Sequence, residues 1–230
     1  MIQANLKKTH SYNGLFITFE GPEGSGKTSV VKNVIEFFEN NGLQNEFDYI
    51  STKEPGTPRN KICKSLREFI LNPDNDINKD AEIFLYMADR CQHVGEVLIP
   101  ALSEGKIVIC DRYIHSTEAY QGYGRRMGKS KAMNKIKTLN SYSTNDLNPD
   151  LVFLLDVDTE VGLQRATQTE FGRPDRLESE AIEFHRRVRE GYLEIFKSYS
   201  GNMIKIDTNH KSQKQVSEEV INHIKELEVI

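Results

Sequence analysis

No stretch of this 230-residue chain is apolar over the length a membrane span requires. The opening MIQANLKKTHSYN is polar and lacks the apolar centre of a secretory signal. A short flexible tail is expected over residues 1–14. Cysteine is scarce: Cys63, Cys91 and Cys110 are odd in number and lack metal-ligand spacing. That argues against a disulfide framework or a zinc site, and for reduced, buried thiols in a cytoplasmic protein. An excess of one charge is also missing. Thirty Lys+Arg against 34 Asp+Glu leave a net charge of −4, so nothing draws the whole surface to nucleic acid or to an anionic membrane. The chain has no internal repeat, no low-complexity linker and no Ser-His-Asp set.

What the chain does have is an alternation. Five short, nearly continuous apolar runs read as strands: LFITFE (15–20), FDYIST (47–52), KIVICD (106–111), LVFLLDV (151–157) and MIKID (203–207). Continuous rather than alternating apolarity suits a parallel sheet covered on both faces. Helix-length segments lie between them. Residues 28–42 have helical spacing and end at Gly42, a favourable C-cap, and residues 80–104 carry Pro100 as a kink or break. Two more helices close the chain. Strands alternating with helices imply right-handed crossovers and an α/β three-layer sandwich with a five-stranded parallel sheet. Residues 15–230 are expected to form a single domain, with ligands at the C-terminal strand ends.

At the end of the first such strand stands Gly21-Pro22-Glu23-Gly24-Ser25-Gly26-Lys27-Thr28. The pattern G-x-x-x-x-G-K-T between a strand and a helix is a phosphate-binding loop. Its glycines let backbone N–H groups face a phosphate chain, and the helix N-terminus favours anions. Lys27 reaches the β- and γ-phosphates, and the Thr28 hydroxyl is a ligand for Mg²⁺. The base-reading N-K-x-D of GTPases is absent, as is the apolar strand ending in Asp-Glu usual in motor ATPases. The third strand ends instead in Asp111-Arg112. An acid followed by an arginine there suggests a site for two anionic molecules at once, which is a kinase of phosphorylated acceptors. Arg112 suits bidentate phosphate binding, the alternative being a structural ion pair with a carboxylate. Asp111 orients Mg²⁺-bound water or Arg112, or is a structural cap.

Several stretches carry a resemblance: FITFEGPEGSGKT, TKEPGTP, SLREFIL, AEIFLYMADRCQHV, CDRYIHSTEAYQGYGR, NPDLVFLLDV and DRLESEAIEFHRRVREGYLEI, in this order from residue 15 to about 207. The chain resembles thymidylate kinases, and D-R-Y-x-x-S-x-x-A-Y-Q-G from Asp111 is the most specific run. The resemblance implies a nucleoside monophosphate kinase-like fold, ATP and Mg²⁺, transfer of a phosphoryl group to dTMP, and a homodimer joined by the helices after strands 2 and 3. It assigns Arg112 to the acceptor phosphate and implies that Tyr86, usually Phe, stacks on thymine. Arg90 would bond an exocyclic oxygen of the base. Thr117 and Gln121 would reach the base, Tyr120 would crowd the sugar C2′, and Glu54 and Arg67 would complete the acceptor site. A kinase of another deoxynucleotide or deoxynucleoside is the alternative.

Two departures stand out. Lys53 replaces an arginine in what is usually R-E-P-G-G, and His115 stands where many relatives have Asp; His115 is expected at the surface or the pocket rim. Phosphoryl transfer needs positive charge around the moving group more than a general base. Lys27, Mg²⁺ and Arg112 supply part of it. The rest is expected from a Gly/Pro-interrupted lid over about 165–179, with Arg165, Arg173 and Arg176. The loop's own Glu23 is expected to align a lid arginine or the acceptor site.

Overall fold

The five apolar runs form one all-parallel sheet in the order β2-β3-β1-β4-β5. It is seen in a computed structural model that describes residues 6–41, 48–127, 131–169 and 175–226. The strands are β1 (Leu15–Glu20), β2 (Tyr49–Lys53), β3 (Ile107–Asp111), β4 (Leu151–Asp156) and β5 (Met203–Asp207). β1, β3 and β4 are buried throughout, which is why their apolarity is continuous. On one face, α1 (Lys27–Asn40) and α9 (Gln213–Glu226) pack Val30, Val34, Phe38, Val216, Val220 and Ile224 against Ile17, Phe19, Ile109 and Phe153. On the other lie α3 (Lys79–His93), α6 (Lys131–Thr144) and α8 (Ile182–Ser198), whose apolar residues join Leu154 and Tyr120. α2 (Lys61–Leu71) packs on α3.

Register places the chemistry. Phe19 lies opposite Asp111, and Lys53 opposite Asp111 on the other side, so three strands end together around the glycine loop. The break expected at Pro100 takes another form. α3 widens at Val94–Leu98 into a π-helical turn, where the Ile99 N–H bonds Val94 O, and then continues as α4 (Ile99–Ser103) with Pro100 in its first turn. The wide turn accommodates a residue that has no N–H to give. A second π-helical turn, Glu118–Gly124, follows the short α5 (Ile114–Thr117) and carries Tyr120 and Gln121.

Two boundaries are corrected. Residues 6–13 are not a free tail: Thr9 N donates to Asp150 Oδ1 at 2.8 Å, and Lys8 Nζ reaches the Gly14 carbonyl at 2.7 Å. α1 is capped at Asn41, and Gly42 lies outside the described residues. Cys63 and Cys110 are buried as expected, but Cys91 is exposed.

The glycine loop is seated on α7 (Thr159–Thr169) by a close backbone approach. A Cβ on Gly162 would lie 2.4 Å from the Glu23 carbonyl oxygen. Alanine is the better helix former by about 1 kcal/mol. Gly162→Ala is nevertheless expected to destabilise the protein by roughly 1–3 kcal/mol in urea unfolding, and to weaken nucleotide binding, because the loop must shift. A more stable variant with unchanged nucleotide affinity would contradict this packing.

Candidate active site

After Glu20 the chain turns through Gly21, Gly24 and Gly26, with φ of 145°, 68° and 89°, into α1. Side chains are strained in this region, so the loop's path depends on glycine. Lys27 Nζ donates to Gly21 O, Pro22 O and Ser25 Oγ at 2.8–3.1 Å. Burial, and then the nearby Arg112 charge, lower the Lys27 ammonium to about 8, against the pull of Glu23 and Asp111. Thr28 Oγ1 donates to Asp111 Oδ2 at 2.6 Å, while Asp111 Oδ1 is buried with no hydrogen-bond partner among the described residues. A hydroxyl and a carboxylate side by side, with one acceptor oxygen left over, are a hard-oxygen set that fits Mg²⁺ completed by phosphates and water.

Arg112 has φ 72°, unusual for a residue with a side chain. Its Nη2 donates to Glu23 Oε1 at 2.6 Å and to the Tyr120 hydroxyl at 3.1 Å, and Nη1 donates to Gly21 O at 3.0 Å. The Tyr120 hydroxyl in turn donates to Glu23 at 2.7 Å. Burial works to raise the Glu23 carboxyl, but Arg112, Lys27 and Tyr120 outweigh it and hold it at about 2. The partner of Glu23 among the described residues is thus Arg112 together with Tyr120, on the acceptor side, and not a lid arginine.

A continuous cavity of about 570 Å³ passes over this loop. Besides the loop, its lining includes Arg165, Thr208, Lys211 and Val216, and also Lys53, Glu54, Arg67, Tyr86, Arg90, Thr117 and Gln121. All the acceptor-side residues named from sequence therefore line one cavity, several of them bonded to one another. Arg90 is buried, and its guanidinium donates to Glu54 Oε2, Thr117 Oγ1, Asn140 Oδ1 and the Tyr113 carbonyl at 2.7–3.0 Å. Most of its donors are spent inside the protein. Glu54 pairs through one oxygen with Arg90 and through the other with His93 Nδ1, so at the cavity wall it holds Arg90 in place. The Tyr86 hydroxyl is buried without a hydrogen-bond partner among the described residues. Arg67 donates to the Pro55 carbonyl at 2.8 Å with its stem against Gly56. Lys53 ends β2 beside the cavity, and burial and then Arg67 lower its ammonium.

The lid arginines separate. Arg165 lies on α7, not in a loop, and donates to the Thr208 and Asn209 carbonyls at 2.8–2.9 Å. Arg173 lies outside the described residues. Arg176 turns to α2 and α3, donating to Ile70 O at 2.8 Å and pairing with Glu82 at 2.6 Å. It does not line the cavity. His115 is buried, not at the surface, edge-on to Tyr199 at 4.8 Å. Burial, with Arg90 and Lys137, lowers it to about 3, so it is neutral at ordinary pH.

The model of the family described as thymidylate kinase matches residues 19–220. The chain belongs to the thymidylate kinase family. It is 43% identical over 214 residues to the thymidylate kinase of Clostridium novyi, covering 92% of this chain and 98% of that one. It is 42% identical over 212 residues to that of Staphylococcus epidermidis, with coverage of 92% and 98%. The crystal structure of thymidylate kinase from Ehrlichia chaffeensis superimposes with a TM-score of 0.70 at 28% identity, covering 92% of this chain and 98% of that chain.

The family motifs pointed to the first ring of this site but not to what supports it. Glu20 is fully buried at the end of β1, accepting from Tyr113 N (2.9 Å), Ser116 Oγ (2.6 Å) and the Tyr192 hydroxyl (3.1 Å). An acid closing an otherwise apolar strand was a signal that could have been used. Tyr192, on α8 and far along the chain, gave none.

The lowered Lys27 gives a pH test. It is charged below about 8 and neutral above, and bound phosphate favours the charged form. Nucleotide affinity should therefore fall by up to about tenfold per pH unit above that point, with proton uptake on binding. Calorimetry in two buffers from pH 7 to 10 measures it; an affinity flat over this range is the contrary result.

Proposed function

We propose that this protein transfers the terminal phosphoryl group of ATP to the phosphate of dTMP, giving dTDP. The observation that carries the reading is one continuous cavity lined both by the glycine loop and by Arg67, Arg90, Arg112, Thr117, Tyr120 and Gln121. The loop N–H groups and Lys27 hold the phosphates of ATP. Thr28 and Asp111 would hold Mg²⁺, which supplies neutralising charge to the phosphates. Arg112 takes the acceptor phosphate, which competes with Glu23 for the guanidinium, one anion for another. That phosphate oxygen is already ionised, so no base is required; Lys27 and Arg112 supply charge where it develops in transfer.

The acceptor base is matched edge to edge. Thymine offers O4, N3–H and O2: acceptor, donor, acceptor. Thr117 accepts from Arg90, which leaves its own proton to give to a base carbonyl. Gln121 Nε2 donates to Glu82, which leaves its amide oxygen to accept from N3–H. Tyr86 lies against the base, and Tyr120, held by Glu23 and Arg112, leaves no partner for a 2′-hydroxyl.

The reading includes a homodimer and a cytoplasmic location. Ile62 and Phe69 on α2, Phe84 on α3 and Tyr142 on α6 are large apolar residues more than half exposed, on helices that follow β2 and β3. Among the described residues no helix is long and apolar enough to cross a membrane.

An ADP-release assay with dTMP, dUMP, dGMP and thymidine tests the activity. dTMP should be the best acceptor and Lys27→Ala should abolish turnover; thymidine outperforming dTMP would sink the reading. For the assembly, sedimentation should give a dimer that Phe84→Glu converts to monomer with its circular dichroism unchanged. A wild type that sediments as a monomer would remove this part of the proposal.

A further inference from the structure

Glu82 sits in the first turn of α3, one helical turn before Tyr86, and its side chain is wholly buried. Four donors saturate its carboxylate. Oε1 accepts from Gln121 Nε2 at 2.9 Å and Arg125 Nε at 3.2 Å. Oε2 accepts from Arg125 Nη2 at 3.0 Å and pairs with Arg176 Nη1 at 2.6 Å. Burial raises such a carboxyl, but the Arg125 and Gln121 bonds and the two arginine charges outweigh it and lower Glu82, so it stays ionised. The N-terminal end of α3 favours the same state.

An ionised carboxylate has no proton to give. The amide of Gln121 has two faces of nearly equal shape, an NH₂ that donates and an oxygen that accepts, and either could in principle meet the base. With Glu82 on one side only one orientation survives: NH₂ to Glu82, oxygen to the cavity. The only side-chain hydrogen bond of Gln121 seen among the described residues is the one from its NH₂, and the residue lines the cavity. We propose that Glu82 is the positioning residue that decides the acceptor base, by forcing Gln121 to present an acceptor and so selecting bases with N3–H over bases with a bare N3. The inference rests on the dTMP reading above. Cytosine differs from thymine at this edge in the relevant way: its N3 accepts, and two acceptors would face each other in a buried site.

Glu82 also binds Arg125 and Arg176. Arg125 pairs in addition with Glu180, and Arg176 N donates to Leu71 O, so the anion is anchored from two directions. It has little freedom to move away and let the amide turn over. A carboxamide in its place offers both a donor and an acceptor, and the Gln121 amide could then take either orientation.

The test compares kcat/KM for dTMP and dCMP, with the KM for ATP, in wild type and Glu82→Gln. Wild type should favour dTMP over dCMP by about 10³-fold or more. In Glu82→Gln that ratio should fall by about tenfold or more, through a higher KM for dTMP and a gain on dCMP, with the KM for ATP little changed. A purely structural role would lower both acceptors together and leave the ratio where it was, and that result overturns the inference even if activity drops. If Glu82→Gln does not fold, Glu82→Gln/Arg176→Met removes a cation with the anion and is read by the same ratio. A wild type that prefers dCMP, or phosphorylates neither, overturns the acceptor reading itself and this inference with it.

Discussion

The pairing of Arg112 with Glu23 is the interaction on which the rest of the site depends. A cation partly shielded from water needs anions close by, and this one sits among Glu23, Glu20 and Asp111. Its backbone is held at φ 72° by bonds on both sides: Arg112 N to Phe19 O at 2.9 Å, and Tyr113 N to Glu20 at 2.9 Å. The glycine loop contributes Glu23 and the Gly21 carbonyl, the π-helical turn contributes Tyr120, and α8 contributes Tyr192. Parts of the chain that share no local sequence are thus tied to one guanidinium, placed where donor and acceptor phosphates would meet.

Around the acceptor the same logic recurs with less freedom. Arg90 is fixed by four protein partners, and Glu54, which holds it, is fixed by His93. Such a group is already oriented when a ligand arrives and loses little entropy on binding. In the proposed dTMP complex the charges that surround the base are therefore mostly scaffolding, and the Thr117 hydroxyl and the Gln121 oxygen are the groups left over to read it.

Much of this was legible in advance because it is local. The five strands are runs of apolar residues, and their continuity marked them as buried on both faces. The phosphate loop is a contiguous motif whose glycines are needed for its backbone path, and Lys27, Thr28, Asp111 and Arg112 are found where their motifs put them. The wrong or missing pieces are those whose meaning depends on distant partners. His115 looked like a rim residue and is buried against Tyr199. Arg176 looked like a phosphate clamp and pairs with Glu82. The bond that joins Glu54 to Arg90 at the cavity wall could not be read from their separate motifs either.

The sequence by itself determined the order of strands and helices, the phosphate loop and the inventory of acceptor-side side chains, because each follows from spacing along the chain or from a residue's own chemistry. Tertiary structure alone decided which charges neutralise one another, which arginines face the cavity and which way the Gln121 amide is turned. The physical reason is that a buried charge or amide takes its state from whatever lies within about 3 Å of it, and those neighbours come from distant segments, 172 residues apart for Glu20 and Tyr192.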